Sequence, residues 1–134
     1  MCIGPDKDGA EAYRLYLESL PDRLRDAGPG AIAAIEERIR QKSVEGWTPK
    51  HDAQHSQGEL AIAAACYALN KMPVDEGLWD EETAEWWPWH PDWDKREKHS
   101  RERSLAIAAA LCMAELDRIE ESKKIKNYLR HGKR

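Results

Sequence analysis

The densest polar chemistry in this chain is the run His51-Asp52-Ala53-Gln54-His55, followed by Glu59. On a helix His51 and His55 would share one face, because positions i and i+4 stack above each other. With Asp52 or Glu59 they would make a two-histidine, one-carboxylate set of the type that holds a transition metal. The same imidazoles can instead donate to a ligand or cap the next helix, which is the commoner use of exposed histidine. No metal ligand and no catalytic residue is assigned on this basis, and no cofactor is expected.

Three enzymatic patterns can be weighed against these residues. The i, i+4 spacing is that of a zincin helix, but Asp52 stands where the glutamate after the first histidine belongs. His51-Asp52 also spells the dyad of HD-type phosphohydrolases, whose earlier histidine ligand is missing because no histidine precedes position 51. An all-helical, metal-dependent nucleotide phosphohydrolase would draw on Glu36, Glu37, Glu45, Glu59, Glu115 and Asp117 to hold magnesium. Its paired Glu-x-x-Glu and Glu-x-x-Asp motifs are missing from the two Ala-rich helices. The chain therefore leans away from an enzyme.

A second constellation is aromatic. Trp47, Trp79, Trp86, Trp87, Trp89 and Trp93 are too many for four short helices to bury. Indoles beside Arg, His and Asp supply a stacking face, hydrogen-bond donors and a cation, which is what a flat anionic ligand requires. The expected ligand-binding set is Trp47, His51, Asp52, His55, Trp87, Trp89, Arg101 and Arg103. Trp47 would stack, Asp52 would accept from hydroxyl or amino groups, and Arg101 or Arg103 would neutralise phosphate at a helix start. The basic cluster around them also includes Lys95, Arg96 and Lys98.

The elements that must position these residues read as helices. Residues 10–26 form a first helix, with Pro21 breaking it after Leu20, and Gly28-Pro29-Gly30 ends it. Residues 31–45 form a second, with Ile32, Ile35 and Ile39 inward and Glu36, Glu37, Arg38, Arg40, Gln41 and Lys42 as its wet face. Residues 47–57 read as loop, 58–70 as a third helix, and 71–91 as a long Trp/Pro-rich irregular segment. A last helix spans 100–121, and the basic tail frays or extends it. Leu60-Ala-Ile-Ala-Ala-Ala-Cys66 is echoed by Leu105-Ala-Ile-Ala-Ala-Ala-Leu-Cys112, and two such faces can approach closely. These runs are expected to pack together, with Ala63, Ala64, Ala108 and Ala109 at the crossing.

The bulk composition agrees with a mainly α fold: one compact bundle of about four helices over 1–134, with 1–9 and 123–134 as flexible ends. Charged residues make up 34% of the chain, yet the formal net charge is only −4, which disfavours a nucleic-acid partner read by bulk charge. Cys2, Cys66 and Cys112 are odd in number and far apart, so no disulfide framework is expected. Cys66 and Cys112 read as small core residues of a protein in a reducing compartment. No stretch is apolar enough to span a membrane, and the expected location is the cytoplasm.

Several segments together carry a family resemblance: Ile35 to Gln41, Glu45-Gly-Trp-Thr-Pro-Lys-His-Asp52, His55, Gly58-Glu-Leu-Ala61, Ala63-Ala-Ala-Cys-Tyr-Ala68, Trp87-Pro-Trp89 and Leu105 to Arg118. Over about 32–120 the chain resembles small accessory proteins of phages and prophages, departing from them at 94–104. The resemblance implies a phage-associated role in the host cytoplasm. More remotely, Glu45-Gly-Trp47, Asp52, His55 and an Arg-led last helix are similar to ryanodine-receptor-type repeat modules, with Thr48-Pro49 in place of Tyr-Gly. The combined expectation is a protein that binds a small nucleotide-like ligand and sequesters a host immune signal. The competing expectation is an inhibitor that docks a host defence complex through its Trp-rich segment, as anti-CRISPR proteins do. A homo-oligomer is left open.

Overall fold

The computed structural model describes residues 5–72 and 84–132. The fold is mainly α, and no strand occurs among the described residues. Among the described residues six helices follow in order: α1 (Pro5–Ser19), α2 (Asp22–Asp26), α3 (Pro29–Ser43), α4 (Pro49–Asp52), α5 (Glu59–Leu69) and α6 (Arg101–His131). Short 3-10 turns occupy Pro91–Trp93 and Arg96–Lys98. Trp79 and Cys2 lie outside the described residues, as does the middle of the expected irregular segment.

The chain forms two compact units, Met1–Ala33 and Ala34–Arg134. In the first, α1 ends at Ser19 and α2 begins at Asp22, so the chain breaks at the proline as its missing N–H and fixed φ require. Arg14 bridges Glu11 and Glu18 on the exposed face of α1. Gly28, at φ +92°, stops α2, because only glycine adopts that conformation without strain.

In the second unit α5 packs along α6. Leu60, Ala63, Ala64 and Tyr67 of α5 meet Ile107, Ala108, Leu111 and Ala114 of α6 in one buried cluster. The two Ala-rich runs are thus partners, and small side chains bring their axes together. Ala109 is only half-buried, while Ala110 is fully buried. Ser100 caps α6, its hydroxyl accepting from the Arg103 amide at 3.1 Å. The helix then continues to His131, so the basic tail extends it, one of the two outcomes expected.

Three expectations fail here, each for a physical reason. Residues 49–52 are not loop: Thr48 accepts from the His51 amide at 3.3 Å and Pro49 occupies the first turn, so a short helix starts there. The supposed wet face of α3 is partly buried, since Glu37, Arg38 and Gln41 are buried and Ile39 is exposed. Glu37 sits among Arg40, Arg103 and Gln41, and Arg38 lies between Asp52 and Asp117, so these polar groups find partners inside. Cys112, expected in the core, is exposed, whereas Cys66 is buried and its thiol is pushed up by that burial.

Residues 84–98 are tied down by polar anchors. Asn70 at the end of α5 donates to the Arg96 carbonyl and the Ser104 hydroxyl, both at 2.8 Å. Arg96 is buried, forks onto Asp94 at 2.6 Å, and lies 5.5 Å over the Trp87 ring. Lys71 adds a bond to the Glu97 carbonyl at 2.9 Å. These bonds hold the tryptophan-bearing stretch against the α5–α6 pair. Trp47, Trp87 and Trp89 pack on the core cluster.

Candidate functional site

Two adjoining pockets of the second unit share one wall, made by Trp47, Trp89 and Trp93. The first has a volume of about 360 Å³ and adds His51, Asp52, Gln54, His55, Leu60 and His90. The second is about 430 Å³, with Tyr67, Trp87 and the base of the core on one side. Its other side is charged: Glu37, Arg40, Glu45, Lys95, Lys98, His99 and Arg103. Both volumes fall in the range of small-molecule sites.

A continuous run of rings links them. His51 lies 5.7 Å from His55, His55 5.3 Å from Trp89, and Trp89 5.4 Å from Trp87. Trp87 in turn lies 5.9 Å from Tyr67, which is 6.1 Å from His99. Successive rings meet edge-on or tilted, the arrangement their quadrupoles favour. Burial, with Asp94 nearby, pushes the Tyr67 hydroxyl up to about 12, so it is a neutral wall at neutral pH.

The first pocket is set by α4 and its flanks. The Trp47 amide donates to the Gln41 carbonyl at 2.9 Å, and the Trp47 carbonyl accepts from Arg38 at 3.1 Å. Asp52, only 1% exposed, meets the His51 ring nitrogen Nδ1 at 3.0 Å with one oxygen. Its second oxygen stands 3.6 Å from Arg38 and has no hydrogen-bond partner among the described residues. Asp52 therefore orients an imidazole from behind while its charge is held by a buried guanidinium. His55 pairs with Glu59 at 3.7 Å. Burial alone would raise the Glu59 carboxyl, but the Glu59 and Gln57 amides, with His55, outweigh it and hold it low. The Trp89 indole nitrogen is buried and also finds no partner among the described residues.

In the second pocket the arginines are already engaged. Glu37 takes Arg40 at 2.8 Å and also binds Arg103, and Arg40 reaches Glu45 at 3.1 Å. Burial alone would raise the Glu37 carboxyl, but these arginine hydrogen bonds outweigh it and hold it low. Four cations and two carboxylates line this pocket, and Lys95 and Lys98 make no ion pair among the described residues.

The structure brings together seven of the eight residues singled out from sequence. Trp47, His51, Asp52, His55 and Trp89 line the first pocket, and Trp87 and Arg103 the second. Arg101 lines neither. It donates to the Ala68 carbonyl and, at 3.0 Å, to the Asn70 carbonyl, so it closes the C-terminal end of α5. Sequence reasoning missed His90, Gln54, Arg40 and His99 as lining residues. Their positions depend on folding across the chain and on no local spacing.

Among the described residues, no three His, Cys, Asp or Glu side chains converge into a metal-holding group. Of the carboxylates a phosphohydrolase would use, Glu37 is taken by arginines and Glu115 by Arg118 at 2.6 Å. No helix among the described residues is long and apolar enough to cross a membrane. Comparison with protein-family models, curated proteins and solved structures finds no match, so the site's own geometry carries the functional argument.

Proposed function

We propose that this protein binds a small nucleotide-like ligand in the cleft walled by Trp47, Trp89 and Trp93. The observation that supports this best is the shared indole wall between a pocket of imidazoles and a pocket with two lysines that make no ion pair among the described residues. A planar base gains from stacking on such rings, and imidazole and indole N–H groups suit its edge and its ribose. The resemblance to phage and prophage accessory proteins supplies a setting, the sequestration of a host immune signal in the host cytoplasm.

Calorimetric titration with mononucleotides, cyclic dinucleotides and ADP-ribose derivatives tests the reading, with Trp93→Ala as the informative variant. Trp93 is 68% exposed and lines both pockets, so its loss should leave the fold intact. Stacking is worth about 1–3 kcal/mol per base, so the variant should bind about tenfold more weakly. The same exposure of Trp93, with Trp86 at 45%, favours the second reading, a docking surface for a host protein. Failure of every nucleotide to bind below the millimolar range would leave that reading in its place.

A further inference from the structure

The two pockets differ in character, and the difference has a direction. Among the described residues the first pocket is lined by one carboxylate, Asp52, held by Arg38, with Glu59 behind His55 and Asp92 beside His90, and no lysine or arginine lines it. Phosphate meets no fixed cation there among the described residues, while a base meets three indoles and three imidazoles. In the second, among the described residues, Glu37 and Glu45 are offset by Arg40 and Arg103, and Lys95 and Lys98 are left in excess. That excess is a place for negative charge, and lysine serves phosphate as a compact point charge. The depressed pKa of His99, set by burial and then by Arg103 and Lys98, is in keeping with a positive field in this pocket.

Resting on the ligand-binding reading above, we infer that the ligand is a nucleoside polyphosphate lying across the Trp47–Trp89–Trp93 wall, its base among the imidazoles and its phosphate chain at Lys95 and Lys98. The shared wall sets the two pockets side by side. The phosphates need not displace Glu37 from Arg40 and Arg103, because Lys95 and Lys98 are exposed and hold no ion pair among the described residues.

The test is a phosphate-number series. Adenosine and guanosine, and their mono-, di- and triphosphates, are titrated in EDTA against the wild type and a Lys95→Gln/Lys98→Gln double variant. Both lysines are exposed, so the substitutions leave the core untouched. In the wild type, Kd for at least one base should fall with each phosphate, about tenfold or more from nucleoside to triphosphate. In the double variant the series should flatten toward the nucleoside value, and inorganic tripolyphosphate should displace the triphosphate only from the wild type. A wild-type series that binds but does not steepen overturns the inference and leaves nucleoside binding standing. A gradient that survives in the double variant overturns the placement of the phosphates. If neither nucleosides nor nucleotides bind, both the inference and the reading beneath it fall.

Discussion

At the scale of residues, the site depends on a few buried charges that position groups without touching a ligand. Arg38 is the centre: it holds Asp52 at 3.6 Å, Asp117 at 3.2 Å and the Trp47 carbonyl at 3.1 Å. Replacing Asp52 by Asn keeps the shape and removes one charge from this group. The expected cost is about 1.5–3 kcal/mol in urea unfolding, short of a full buried-pair loss because Asp117 remains. The same variant frees the His51 ring from its anionic partner, so ligand affinity should fall along with stability. Asp52 was legible in the sequence as a candidate lining residue, but its contacts were not. A carboxylate next to two histidines reads as a ligand contact, and only the fold reveals the arginine behind it, 14 positions earlier in the chain.

At the scale of elements, helix periodicity and punctuation located α1, α3, α5 and α6, and Pro21 marked the first break. α4 escaped because four residues are too few to show a period, although Thr48-Pro49 is itself a start signal. The buried polar face of α3 escaped for a different reason. Hydropathy places Glu37 and Arg38 in water, and their partners Arg103 and Asp117 come from α6, far away in sequence. Arg101 was misplaced on the same ground, since its acceptors are the end carbonyls of α5. The α5–α6 pairing was legible because an Ala-rich face has little use other than close approach. Ala108, at 6% exposure, should tolerate no larger side chain, and Ala108→Leu should cost about 1–3 kcal/mol by overpacking. An unchanged melting temperature would contradict that packing. Ser100→Ala removes the cap of α6 and should cost about 0.5–2 kcal/mol, measured by the urea midpoint.

At the scale of the whole molecule, a net charge of −4 opposes anionic ligands at long range, so any affinity for phosphate is local and should weaken as salt screens it. The same local field makes stability depend on pH. His99 is held below its ordinary 6.5 by burial first, then by Arg103 and Lys98, with Glu37 opposing and Arg40 adding. The unfolded chain therefore takes up this proton before the folded one does. The His99 contribution is complete above about pH 6.5 and is lost as pH falls through that value toward the folded pKa. Urea midpoints measured across this window should decline in the wild type and decline less in His99→Gln. The central claim, a ligand seated on the shared indole wall, is tested most directly by following the indole N–H resonances of the six tryptophans during a nucleotide titration. The Trp47, Trp89 and Trp93 signals should shift together and saturate, while Trp86, which lines neither pocket, stays in place. Saturating shifts confined to Trp86, or no shift at any indole, would contradict the account.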